Sequence, residues 1–168
     1  MKSVLVAALA VVATGALAQV EFFNTPFGIT PGQETGGSTG TGSGTALLGV
    51  DPGTLNITGT IDVTGLPWSG VTGFHIHNAA FGANGPVVFN FPTNGSVSGE
   101  NPWTFTVNGT ITQTILDEMR LSRTYINIHT AANPAGEIRG QLEPVPEPAT
   151  IAALGAGLVA LVRRRRKR

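Results

Sequence analysis

All three histidines of this 168-residue chain lie in two short segments. They are Gly73-Phe-His75-Ile-His77-Asn78 and Tyr125-Ile-Asn127-Ile-His129-Thr130, the second followed by Asn133-Pro-Ala-Gly-Glu137-Ile-Arg139-Gly140. In an extended strand, residues two apart face the same side, so His75 and His77 share a face while Phe74 and Ile76 take the other. The same rule groups Tyr125, Asn127 and His129 against Ile126 and Ile128. If the two strands are neighbours, three imidazoles converge, and a His-x-His pair with a distant third His is a ligand set for zinc or copper. Asn127, Glu137 and Arg139 are the candidates to support or complete such a set through hydrogen bonds or a fourth bond, with water or hydroxide otherwise filling the coordination. The bland alternative stands beside this one. A strand with one face in the core turns the other to solvent, where histidines need no ligand, and Glu137 with Arg139 reads equally as a charge pair at a hairpin.

Other chemistries find less support. The chain has no cysteine, which excludes thiol nucleophiles, thiolate metal sites and disulfides, so stability must come from packing or assembly. Gly36-Gly-Ser-Thr-Gly40 lacks the lysine of a phosphate loop, and Asp117 and Glu118 are adjacent on a predicted helix, so they point to different faces and form no hydrolytic carboxylate pair.

The elements that must position the histidines are strand-like. Leu55, Ile57, Ile61 and Val63 alternate with small or polar residues, as do Trp103, Phe105 and Val107. Turn signals punctuate them at Asp51-Pro-Gly53, Asn84-Gly-Pro86, Asn94-Gly95, Asn108-Gly109 and Asn133-Pro-Ala-Gly136, which predicts an all-β antiparallel sandwich or barrel. One short helix is expected over residues 111–120, opened by a capping box of Thr110 with Gln113 and presenting Ile111, Ile115 and Met119 to the core. By composition, Gly32 to Gly44 reads as a flexible linker.

Both chain ends read as addresses. Lys2, the apolar run Val4 to Val12 and Ala16-Leu17-Ala18 form a signal peptide over residues 1–18, with signal peptidase expected to cut before Gln19. At the other end stand Val145, Pro146, Glu147 and Pro148, the apolar run 149–162, and a basic cluster of Arg163, Arg164, Arg165, Arg166, Lys167 and Arg168. The prolines stop any helix from running in from the body. The apolar run is shorter than the roughly 20 residues of a usual span, but the cations give it a cytoplasmic stop whose stems snorkel. This tail, residues 144–168, resembles a PEP-CTERM sorting signal. The resemblance implies an inner-membrane-anchored precursor in a Gram-negative bacterium, an exosortase-type protease as partner, and release to the cell surface or matrix.

Removing both ends leaves one domain of ordinary size at residues 19–143. Its acidic residues are Glu21, Glu34, Asp51, Asp62, Glu100, Asp117, Glu118, Glu137 and Glu143, against Arg120, Arg123 and Arg139, so nine carboxylates meet three guanidinium groups for a formal charge of −6. The net zero of the whole chain comes from the tail. An acidic body with few cations argues against nucleic acid as a partner.

Gln33-Glu34, Gly65-Leu66, Phe74-His-Ile-His77, Asn84-Gly-Pro-Val-Val88, Tyr125 to Thr130 and Asn133 to Leu142 together resemble a CHRD domain, a module of exported proteins, over residues 21–143. Asn78-Ala-Ala80 departs from the usual Gly-Pro-Ala of that family. The resemblance implies an immunoglobulin-like or related β-sandwich with no established general catalytic activity, and it assigns Gly32 to Gly44 to the first loop and strand. A weaker resemblance links Thr58 to His77 to the copper-ligand strand of copper/zinc superoxide dismutase, with His129 standing for a later copper histidine. The bridging histidine, zinc ligands and cysteines of that enzyme have no counterpart. The leading expectation is thus a non-enzymatic surface or matrix protein that contacts polysaccharide or other proteins, and the alternative is a three-histidine copper or zinc protein with redox capability.

Overall fold

The computed structural model describes residues 19–146. The signal segment 1–18, Glu147 and Pro148 of the sorting motif, the apolar run 149–162 and the basic cluster 163–168 lie outside the described residues. No helix among the described residues is long and apolar enough to cross a membrane.

Nine strands form the domain: β1 (Glu21–Asn24), β2 (Ser43–Val50), β3 (Asn56–Thr64), β4 (Val71–Asn78), β5 (Val87–Asn90), β6 (Gly95–Gly99), β7 (Trp103–Thr110), β8 (Thr124–Thr130) and β9 (Ile138–Pro144). One α-helix, α1 (Gln113–Arg120), joins β7 to β8. The strands make one curled sheet in the order β5-β4-β8-β9-β1-β2-β3-β7-β6, antiparallel throughout. The all-β antiparallel expectation with one helix holds. The two halves, β5-β4-β8-β9 and β1-β2-β3-β7-β6, face each other like the layers of a sandwich but are joined through a short β9–β1 pairing.

Alternation fills the space between the halves. Ile57, Ile61 and Val63 of β3 and Trp103, Phe105 and Val107 of β7 are buried together with Phe74 and Ile76 of β4 and Ile126 and Ile128 of β8. Phe74 is at the centre, edge-on to Trp103 at 5.7 Å and to Phe105 at 5.3 Å, and 4.3 Å from the Phe91 ring. Aromatic pairs at these separations add to the burial term through their quadrupoles. The indole of Trp103 donates to Leu66 O at 2.7 Å, so the one polar atom of that ring is satisfied.

Three local expectations need correction. The helix starts later than the Thr110–Gln113 box implies. Thr110 is still in β7, paired with Asn56, and the cap is Thr112, whose hydroxyl accepts from the Ile115 N–H, while Gln113 bonds forward to Asp117. Leu116 and Met119 are the buried residues of α1, with Ile111 buried ahead of it. Asn108-Gly109 is not a turn but the interior of β7. The bare glycine is required there because a Cβ would lie 2.7 Å from Asn94 Oδ1 and 2.9 Å from Phe89 Cζ. Leu55 stands outside β3 at φ 60°, in the turn that reverses the chain from β2.

Replacing the central ring, Phe74→Ala, should cost about 3–5 kcal/mol of unfolding free energy, the usual range for emptying a buried aromatic position. Denaturant unfolding checks it, and a loss under about 1 kcal/mol would show that the halves do not close on this ring.

Candidate metal centre

Strands β4 and β8 are direct neighbours, and their register sets Gly73 opposite His129, His75 opposite Asn127 and His77 opposite Tyr125. The three imidazoles therefore meet on one face. Ring centroids are 5.3 Å apart for His75 and His129, and 5.7 Å for each of the other two pairs. One ring nitrogen from each histidine lies within 4.8 Å of the others. Gly73 leaves room for this, since a Cβ there would come within 2.9 Å of His75 Cε1 and 3.1 Å of His129 Cδ2.

Backbone carbonyls orient two of the rings. His77 Nδ1 donates to Gly85 O at 2.9 Å and His129 Nδ1 donates to Pro134 O at 3.1 Å. A carbonyl only accepts, so the proton sits on Nδ1 and Nε2 keeps its lone pair. His75 Nδ1, His77 Nε2 and His129 Nε2 are all buried with no hydrogen-bond partner. Three unpartnered nitrogens on neighbouring rings are costly unless something else binds them.

The electrostatics keep these rings neutral. Burial pushes His75 below the usual imidazole range, helped by the His129 and His77 rings beside it. Burial also lowers His77, against the Gly85 hydrogen bond and with the Arg139 charge, and it lowers His129 against the Pro134 bond. Neutral imidazole is the form that ligates.

The face is partly covered: His77 is buried, while His75 and His129 are half-buried beside an open cleft, so the solvent-face reading holds only in part. Tyr125 stacks on His77 with centroids 5.1 Å apart and planes 15° from parallel. The Arg139 guanidinium lies 3.4 Å over the other partner in this stack, the Tyr125 ring. Arg139 and Tyr125 are both buried. Arg139 donates to Thr35 Oγ1 at 2.9 Å, Asn84 Oδ1 at 3.4 Å, Ala80 O at 3.4 Å and Gln141 Oε1 at 3.3 Å. The Gly85 N–H donates to Tyr125 Oη at 3.2 Å, so the loop that holds His77 is itself held by the residue stacked on His77. Only glycine fits at position 85, where a Cβ would strike the Asn78 carbonyl.

The segment 32–44 is part of this cover, not a linker, as the family assignment implies. Gln33 donates to Gly28 O at 2.7 Å and accepts from Gln141 N at 3.2 Å. Glu34 is pushed up to about 7 by burial, against the Arg139 charge. Its Oε1 and Asn127 Oδ1 are buried without partners, both crowded against Gly136.

Of the proposed supporting residues, Asn127 sits in register between His75 and Arg139 and donates to Ala135 O at 3.4 Å. Glu137 is turned away: its Oε2 accepts from Thr130 Oγ1 and from Asn133 Nδ2 at 3.0 Å. The alternative reading, a Glu137–Arg139 charge pair, does not form either, because the carboxylate closes the hairpin while the guanidinium stacks on Tyr125. Of the sorting motif, Val145 is described and donates to Phe22 O at 2.8 Å, beside Pro146 at the end of the described chain.

Sequence reasoning missed the Arg139–Tyr125–His77 stack and the roles of Gly73 and Gly85, since each depends on a contact across strands. The cleft beside the three rings measures about 280 Å³ and is also lined by Thr72, Gly73, Val87 and Pro134. A larger one, about 390 Å³, lies against one end of the β2–β3 pair beside Gly28, Thr30 and Pro102, where the carboxylate it contains, Asp62, already accepts from Thr104 Oγ1 at 2.6 Å. The chemistry therefore belongs to the smaller cleft.

Fold and site define an antiparallel β module with a three-imidazole cluster on the outer face of one half. The CHRD domain model matches residues 26–142, and the chain belongs to the CHRD domain family. A PEP-CTERM protein-sorting motif matches residues 144–167, so this is an exported protein sorted in the cell envelope by an exosortase-type system. No curated protein and no solved structure matches the chain.

Glu34 supplies a pH test of the cover. A carboxyl raised from 4.5 to about 7 by folding stabilises the protein fully below 4.5, and that contribution is lost as pH rises through about 7. Glu34→Gln, which imitates the protonated acid, should match the parent in chemical denaturation at pH 4.5 and exceed it at pH 8. Equal stability at both values would place Glu34 in solvent.

Proposed function

We propose that the mature domain, residues 19–143, is a surface or extracellular metalloprotein that binds one copper or zinc ion through His75 Nδ1, His77 Nε2 and His129 Nε2. The observation that carries this reading is the set of three buried, unpartnered ring nitrogens on adjacent imidazoles. Three nitrogens held about 2.0–2.1 Å from one tetrahedral ion stand about 3.3 Å apart, so the rings need only a small inward movement. The Gly85 and Pro134 carbonyls fix two of them in the ligating tautomer, as the partners of metal-bound histidines commonly do. An all-imidazole set suits both ions, and copper would add redox capability that zinc lacks.

The export signals support a site that works outside the cytoplasm. In our reading signal peptidase removes 1–18, the segment 149–162 anchors the precursor in the inner membrane of a Gram-negative cell with 163–168 on the cytoplasmic side, and an exosortase-type protease releases the domain near Val145–Pro148. Phe23 pairs with Pro144, so the two ends of the domain lie side by side where β1 meets β9.

Metal analysis of exported protein purified without chelator or a histidine tag should find one copper or zinc per chain, and intact mass should run from Gln19 to near Val145. The His75→Ala/His77→Ala/His129→Ala variant should lose the metal. Because all three histidines lie below the ordinary imidazole range, proton competition should begin only below about pH 6.5. A folded protein that takes up no metal on reconstitution would leave a plain scaffold.

A further inference from the structure

We propose that the ion held by His75, His77 and His129 takes a small monodentate anion from outside the chain at a fourth, solvent-facing position. This rests on the metal reading above and adds what the site would bind.

The donor set leaves the charge uncompensated. Among the described residues, the cluster contains three histidines and no carboxylate, and Glu137 is tied into its hairpin by Thr130 and Asn133. Three neutral imidazoles leave a divalent ion with its whole charge in a partly buried place, which is costly without a counter-charge. The buried cation nearby has the wrong sign, and the half-buried carboxyl of Glu34, held up to about 7 by burial, interacts with that cation. Arg139 is stacked behind Tyr125 on the far side of His77 and its charge is felt at that ring.

The cleft has room for the missing ligand. Its volume of about 280 Å³ exceeds the roughly 30 Å³ that one water occupies in the liquid. Gly73 contributes no side chain to it. The register of β4 against β8 shifts between Val71 and Gly73, and Thr72, at that shift, is part of the lining. Val87 closes the opposite side from β5, in register with His77. The anion donates one lone pair to the ion in place of a water, and no bond within it breaks.

The exported protein is loaded with one equivalent of copper(II), which an all-nitrogen site takes up readily whatever its native ion. Copper content is measured first, then sodium azide is titrated while absorption and electron paramagnetic resonance are recorded. A new saturable charge-transfer band at one azide per copper, with a changed resonance spectrum, is expected. Azide affinity that falls as pH rises identifies solvent hydroxide as the competing occupant, whereas affinity independent of pH identifies added anions alone; both place an anion on the ion. Val87→Phe, narrowing the mouth, should weaken azide severalfold per bound copper. Copper bound without any azide response overturns this inference alone, as does an azide response that Val87→Phe leaves unchanged. Failure to bind copper overturns the metal reading and this one with it.

Discussion

The buried guanidinium of Arg139 is the interaction on which the outer face of β4 and β8 depends. It joins its own strand, through Gln141, to three other parts of the chain: Thr35 in the first loop, Ala80 and Asn84 in the loop after β4, and Tyr125 on β8. A buried cation keeps its charge only where hydrogen bonds and a π face replace water, and this one has both. Through Tyr125 it bears on His77 from one side, and through Asn84 it steadies the turn whose next residue supplies the Gly85 carbonyl to the same ring. The cover over the histidines and the orientation of one of them are thus set by the same contact.

The domain consequently has two interiors. Between the sheet halves the packing is aromatic and aliphatic, centred on Phe74, and is held by burial. On the other side of the same strands the packing is polar and depends on directional bonds, so it can leave selected atoms unpaired. Alternation along β4 serves both at once: Phe74 and Ile76 enter the first while His75 and His77 enter the second. A one-residue slip of β4 would exchange the two sets, which is why the apolar core specifies the register on which the histidine cluster depends.

Much of this was legible in residue patterns. Period-two alternation identified the buried faces of β3, β4, β7 and β8, and it grouped the histidines correctly, because side-chain direction in a strand is a local property. The start of α1 was misread because β7 continues through Thr110 to complete its ladder with β3, leaving Thr112 as the cap. Asn108-Gly109 looked like a turn because that dipeptide usually is one; here the glycine admits Asn94 and Phe89. The Gly-rich stretch after Pro31 looked like a linker because its ties, such as Gln33 to Gln141 and Thr35 to Arg139, span more than a hundred residues. No local pattern reports bonds of that range. The CHRD resemblance placed the segment correctly, although composition did not.

The body is acidic once the basic tail is set aside, and its buried cation, Arg139, is stacked on Tyr125 behind His77. An ion among three neutral imidazoles is the central claim. X-ray absorption at the metal edge of the purified exported protein tests it most directly. The account predicts a first shell dominated by nitrogen at about 2.0–2.1 Å with the outer-shell scattering of about three imidazoles. A first shell of oxygen alone, without imidazole scattering, would place the ion on surface carboxylates and contradict it.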